Sequence, residues 1–246
     1  MSGVVVLYIA ALFFELLRFH TRRVNAVPAV VCSAGGLAVH TFYLLNGHLT
    51  QSSSAKFFLI SAWTLAAVCL LFLYFRPKIP AGIILLPLVL LFAGISLTQP
   101  IPSSALISYS SPLLIHLHLI LLLSATICVC IAFFAALMYL LQDTHLRKKQ
   151  LPAERPQLPT LEWSLFVCRW LLAVSFFLFL GGFLTGFALA VLQHRVPFDL
   201  FSIGTFGLLA VYGYWATVPK NDGRRIAFNA VVVFVLLLII LAASLL

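Results

Sequence analysis

The stretch PLLIHLHLILLLSATICVCIAFFAALMYLL, residues 112–141, decides the fold of this chain. It contains no Asp, Glu, Lys or Arg. As a helix it would be roughly 45 Å long, which exceeds the hydrocarbon layer of a bilayer. Lipid offers no hydrogen-bond partner to backbone N–H and C=O groups, so a stretch that crosses it must be helical. The sequence therefore predicts a transmembrane helix here.

The rest of the chain has the same character. Of its 246 residues, 63% are hydrophobic and only 9% are charged, and the mean hydropathy is +1.13. A soluble domain needs a larger charged surface, so this composition excludes a soluble enzyme. We predict an all-α membrane protein that forms a single domain of about eight transmembrane helices. The predicted spans are 3–18, 27–46, 57–75, 80–97, 112–141, 163–192, 200–218 and 225–245.

The positive charge is distributed unevenly along the chain. Alternate loops hold twelve of the fifteen Lys and Arg residues, whereas the opposite loops hold only Lys56 and Arg195. This is the positive-inside asymmetry, so the basic loops are predicted to be cytoplasmic and both termini to lie outside. The charge reflects topology and does not indicate nucleic-acid binding. The polar, proline-bearing segment 143–160 is the predicted cytoplasmic linker between the two longest spans.

Five of the seven histidines are predicted at or near the outer face. They are His40, His48, His116, His118 and His194. Each can be an ordinary amphipathic residue at the membrane interface, but neutral imidazole is also a ligand for haem iron. His116 and His118 point about 200° apart on one helix and cannot face the same pocket. A bis-histidine haem site would therefore pair one of them with His40, His48 or His194.

The cysteines and a glycine-rich segment are predicted to serve in helix packing. All five cysteines fall inside predicted spans, without a C-x-x-C motif, so thiol–disulfide chemistry is not expected. The segment GGFLTG contains Gly181, Gly182 and Gly186 at the spacing that lets membrane helices approach closely.

Four segments resemble the CcsA-type cytochrome c assembly proteins. GHLTQSSSAKFFLISAW (residues 47–63) is similar to the family's G-H…S…W segment, and HLILLLSAT (118–126) to the start of its long fifth helix. LPTLEWSLFVCRWLLAVSFFLFLGGFLTG (158–186) resembles its sixth helix, including Glu162, Arg169, Leu184-Thr185 and Gly186. DGRRIAFNA (222–230) resembles the segment before its last helix. The resemblance covers roughly residues 35 to 240 and favours the CcsA/CcmC superfamily.

The resemblance implies a haem-handling protein of the bacterial cytoplasmic membrane. Such a protein binds b-type haem non-covalently near the outer face and assists cytochrome c assembly or haem homeostasis. Its partners would be lipid, haem, and apocytochrome c or a CcsB/ResB-like membrane protein. His118 matches the external histidine of the fifth span and His48 the G-H histidine, so these two are the implied iron ligands. His40 resembles a histidine of the HemX-like and YpjD-like branches.

One family feature is missing. The tryptophan-rich haem-binding loop should follow the sixth span, but LQHRVPFDLFS, residues 192–202, contains no tryptophan. Around Tyr214, the histidine expected late in the seventh span is also replaced. These departures favour the HemX/YpjD-like branch, which lacks the loop. His194 lies beside the missing loop and is a candidate substitute ligand.

We therefore predict haem delivery or regulation without enzymatic bond-making, because no nucleophile–base pair is recognisable. Two alternatives stay open. A small-molecule permease would show broken helices in paired positions, and only the fourth span, with Pro87 and Gly94, hints at one. A non-catalytic accessory subunit would need only the long fifth and sixth helices and GGFLTG for packing.

Overall fold

A computed structural model of the chain describes residues 2–21, 25–46, 53–77, 79–98, 112–147, 160–192 and 222–243, together with residues 207 and 211. Across these ranges the chain forms seven long helices and no β-strand, which confirms the all-α prediction. The helices are α1 (Ser2–Thr21), α2 (Val27–Leu45), α3 (Ser53–Phe75), α4 (Ala81–Thr98), α5 (Pro112–Arg147), α6 (Leu161–Leu192) and α7 (Gly223–Ala243).

Each of these seven helices is long and apolar enough to cross a bilayer, as expected of a multi-pass membrane protein. Large apolar side chains are exposed on their outer surfaces, an arrangement compatible with lipid contact. The predicted span 200–218 lies outside the described residues except for Gly207 and Val211, both helical. The count of eight spans and the outward position of both termini therefore stay predictions.

The clearest difference in boundaries is at the end of α5. The helix continues to Arg147, into the segment 143–160 that the sequence predicted as a linker. Arg147 Nε donates to Asp143 Oδ2 at 3.0 Å, an i,i+4 pair that stabilises the last helical turn in a polar setting. Hydropathy alone does not detect such a pair. The remainder of the predicted linker, up to residue 159, lies outside the described residues.

The helices divide into two compact units, of which the first contains α1–α4. Within it, α1 packs on α2 and α4, and α3 packs on α2 and α4. Tyr8, Phe58 and Phe92 are among its largest fully buried side chains. Gly36 lets α2 approach α1 closely, because a Cβ at this position would lie 2.8 Å from Tyr8 Cε1. Close approach through a small residue is typical of membrane helix pairs.

The second unit contains α5, α6 and α7, and α5 packs against both of the others. Phe133 of α5 stacks on Phe234 of α7, with ring centroids 4.0 Å apart and planes 17° from parallel. On the α6 side, a Cβ at Gly182 would lie 2.7 Å from Leu122 Cδ2. The missing side chain therefore allows α5 and α6 to lie close together, as the GGFLTG spacing predicted.

Candidate functional site

His118 is the candidate histidine whose hydrogen bonds and packing the structure defines best. It lies about two turns after the start of α5 and faces α6. Its Nδ1 is 2.8 Å from the carbonyl oxygen of Gly182 and 3.2 Å from Thr185 Oγ1. A carbonyl oxygen can only accept a hydrogen bond, so Nδ1 carries the proton. In the neutral ring, Nε2 then presents its lone pair.

Thr185 holds the same carbonyl group from within α6. Its hydroxyl lies 2.9 Å from Gly182 O and 3.0 Å from Gly181 O, so its proton is directed at the helix backbone. The hydroxyl oxygen remains available beside His118 Nδ1. The imidazole is therefore oriented by two oxygens on one turn of α6.

The absence of a side chain at Gly186 makes room for this imidazole. A Cβ at this position would lie 2.8 Å from Cε1 of His118 and 3.3 Å from its Nδ1. The L-T-G end of the GGFLTG segment thus forms the cradle for His118, while Gly182 supplies both close packing and the accepting carbonyl. The sequence interpretation of GGFLTG as a packing motif missed this second role. The sequence shows a histidine and a small-residue motif on consecutive predicted helices, but their spacing does not fix whether the two face each other.

The surroundings of the other ring nitrogen of His118, Nε2, differ from those of Nδ1. The side chain is partly exposed, and Nε2 makes no hydrogen bond or ion pair with any residue in the described part of the chain. Exposed apolar side chains lie on the same helix ends, Leu117 on α5 and Phe187 on α6. Chemically, the arrangement offers one fixed imidazole lone pair beside apolar surface.

His40 has a different environment. It is fully buried in the first unit, with Nδ1 3.3 Å from the hydroxyl oxygen of Tyr8 and the two rings meeting edge to face. Its Nε2 is also buried and has no hydrogen-bond partner within the described ranges. In this arrangement neither nitrogen is open to a large ligand. The sequence analysis did not identify Tyr8, since nothing in its spacing indicated a partner on another helix.

The remaining candidate histidines are less defined. His116 is exposed on α5, two positions before His118. His48 and His194 lie outside the described residues. Among the residues that are described, no group of three or more His, Cys, Asp or Glu side chains is placed to hold a metal ion.

A buried ion pair lies in the first unit. The side chain of Glu15 is fully buried on α1, and its Oε2 is 2.9 Å from Arg18 Nη2. Gly82, at the start of α4, makes space for it, because a Cβ there would lie 2.7 Å from Glu15 Cγ. A carboxylate beside the first turn of a helix interacts favourably with the helix dipole. Glu15 therefore packs against α4 while it pairs with Arg18 on its own helix. This packing role accounts for the buried carboxylate.

No protein-family model, curated protein or solved structure matches this chain. Its function is therefore inferred from the geometry around His118 and from the sequence itself.

Proposed function

We propose that this chain is a haem-handling membrane protein of the cytochrome c assembly type and that His118 Nε2 ligates the haem iron. The observation that supports this is the hydrogen bond from His118 Nδ1 to the Gly182 carbonyl. Metal-ligating histidines commonly donate their other ring N–H to a backbone carbonyl or carboxylate, which fixes the tautomer and the ring orientation. His118 makes a hydrogen bond of this kind to the Gly182 carbonyl.

The Nε2 atom of His118 fits the role of one protein ligand to the iron of a b-type haem. A neutral imidazole with a fixed lone pair, as in His118, would be a ligand for the iron, and exposed apolar side chains such as Leu117 and Phe187 would suit contact with the porphyrin. Bound haem would supply a redox-active iron, whereas the protein residues would bind and orient it. Of the other candidate ligands named from the sequence, His40 is enclosed by Tyr8, and His48 and His194 lie outside the described residues.

The role we assign is holding and transfer of haem, with apocytochrome c or a CcsB/ResB-like membrane protein as the partner. From the positive-inside asymmetry we expect the start of α5 at the outer face of a bacterial cytoplasmic membrane. Haem would then be presented on the side where cytochromes c are assembled. No side chain near His118 acts as a nucleophile or general base in this proposal.

The direct test is haem titration of the full chain, purified in a mild detergent, with the Soret band as readout. His118→Ala is expected to lose the band or shift it strongly, and free imidazole is expected to restore it by filling the space of the missing ring. His116→Ala, on the same helix, is the matched control and is expected to titrate like the parent chain. Equal bands in the parent and His118→Ala would contradict the proposal, as would equal losses in both variants.

A further inference from the structure

A groove opens at the end of the second unit that lies opposite His118 along α5. It has a volume of about 810 Å³ and runs between the last turns of α5 and the first turns of α7. This volume lies within the range of small-molecule sites. The α7 side of the groove belongs to DGRRIAFNA, a segment that the haem proposal does not use.

Two arginines and one aspartate are among the described residues that line the groove. Arg225 Nε lies 2.8 Å from Asp222 Oδ2, and Asp222 Oδ1 also accepts the backbone N–H of Arg225 at 3.2 Å, which caps α7. Arg224 lines the same groove, is exposed, and has no hydrogen bond or ion pair within the described ranges. Within the described lining, Arg224 is thus a guanidinium without a counter-ion, next to the positive end of a helix dipole.

A second donor in the lining also lacks an acceptor. The amide nitrogen of Asn229 is buried and makes no hydrogen bond with the described residues. A buried donor without a partner is costly. Rotation of this side chain toward the groove would give the amide an acceptor if an anion were bound there. Asn229 and Arg224 are thus both suited to an oxygen-bearing anion.

The groove is polar at the helix ends, and large apolar side chains line it one turn deeper on both sides, next to the amide of Asn229 on α7. On α7, Arg224 is followed one turn later by Phe228, whose side chain is 61% exposed. On α5, Thr144 is preceded one turn earlier by Leu140. Both helices therefore add an apolar side chain to the lining in the direction of the predicted membrane interior. This layering matches an amphiphile at the bilayer surface better than a free anion.

We propose that this groove binds the headgroup of an anionic phospholipid, with the singly charged phosphodiester on Arg224 and the glycerol–acyl region against Leu140 and Phe228. Basic pockets between transmembrane helices on the cytoplasmic side suit such headgroups. The proposal is independent of haem, because it concerns different residues at the other end of α5.

The test is intact-complex mass spectrometry of the full chain in detergent, with phosphatidylglycerol or phosphatidylcholine of identical acyl chains added. Phosphatidylglycerol is expected to bind more tightly, and Arg224→Gln to weaken it roughly fivefold or more. Arg224→Lys keeps the charge and is expected to retain binding. Arg147→Gln removes an exposed arginine from the same end of α5 but outside the groove lining, and is expected to bind like the parent.

Three outcomes would overturn the proposal. The first is equal binding of the two lipids by the parent chain. The second is an equal loss in Arg147→Gln and Arg224→Gln, which would indicate a general charge effect. The third is displacement of phosphatidylglycerol by millimolar inorganic phosphate, which would assign the groove to a soluble anion. Elution of each variant at the parent volume in size exclusion establishes that the fold is intact.

Discussion

His118 and Gly182 are joined across the packing of α5 and α6 by a 2.8 Å hydrogen bond from the imidazole to a backbone carbonyl. The acceptor belongs to the main chain, so no substitution removes it directly. Its neighbours on α6 control whether the ring can reach it, because Gly186 provides the space and Thr185 lies beside Nδ1. The orientation of His118 can therefore be altered without changing the histidine.

Gly186→Ala is expected to weaken or shift the haem Soret band. The added Cβ would lie 2.8 Å from His118 Cε1, so the ring must move away from the position that Gly182 and Thr185 define. Haem titration of the purified variant measures the effect. Gly181→Ala is the control on the same helix, since its Cβ would meet Leu121 Cδ1 at an ordinary 3.4 Å. Identical spectra for the two variants would show that ring orientation is unimportant.

Gly36→Ala is expected to destabilise the first unit, whereas Gly35→Ala is not. A Cβ at Gly36 would lie 2.8 Å from Tyr8 Cε1, and this ring is fully buried. Overpacking of this kind costs about 1–3 kcal/mol, which is partly offset by a gain of up to about 1 kcal/mol in helix propensity. At Gly35 the nearest atom is 3.9 Å away. Thermal unfolding in detergent compares them, and a lower midpoint for Gly35→Ala would contradict this packing.

Arg18→Gln is expected to lower the free energy of unfolding by about 3 kcal/mol, because it leaves the Glu15 carboxylate buried without its counter-ion. The double variant Glu15→Gln/Arg18→Gln removes both charges and should recover much of the loss. Denaturant titration of the four members of this cycle gives the coupling energy. Additive losses would mean that the two side chains do not interact.

Much of this fold follows directly from hydropathy. Each described helix corresponds to a predicted apolar span, because a stretch that crosses lipid has no alternative to the helix. The helix α5 extends beyond the predicted span 112–141 to Arg147, and hydropathy does not report how far a helix continues through polar sequence. The relation of His118 to GGFLTG was not predictable, since sequence spacing does not fix the rotation of one helix against another.

The surroundings of His40 were likewise not predictable from the sequence. The sequence grouped it with the outer histidines by its position near the end of α2, and could not reveal that Tyr8 of α1 encloses it. We expect His40→Ala to retain the Soret band of the parent chain while lowering the unfolding midpoint, because it leaves a cavity and removes the partner of the Tyr8 hydroxyl. Loss of the band at unchanged stability would instead make His40 an iron ligand.

The orientation of α5 decides on which side of the membrane His118 acts. His116 and Arg147 lie near opposite ends of this helix, and both are exposed. We expect His116→Cys to react with a membrane-impermeant maleimide in intact cells, and Arg147→Cys to react only after the cells are opened, because basic helix ends stay in the cytoplasm. The parent chain, whose five cysteines are buried or partly buried, gives the background. The reverse labelling pattern would put His118 on the cytoplasmic side and remove the basis for haem delivery at the outer face.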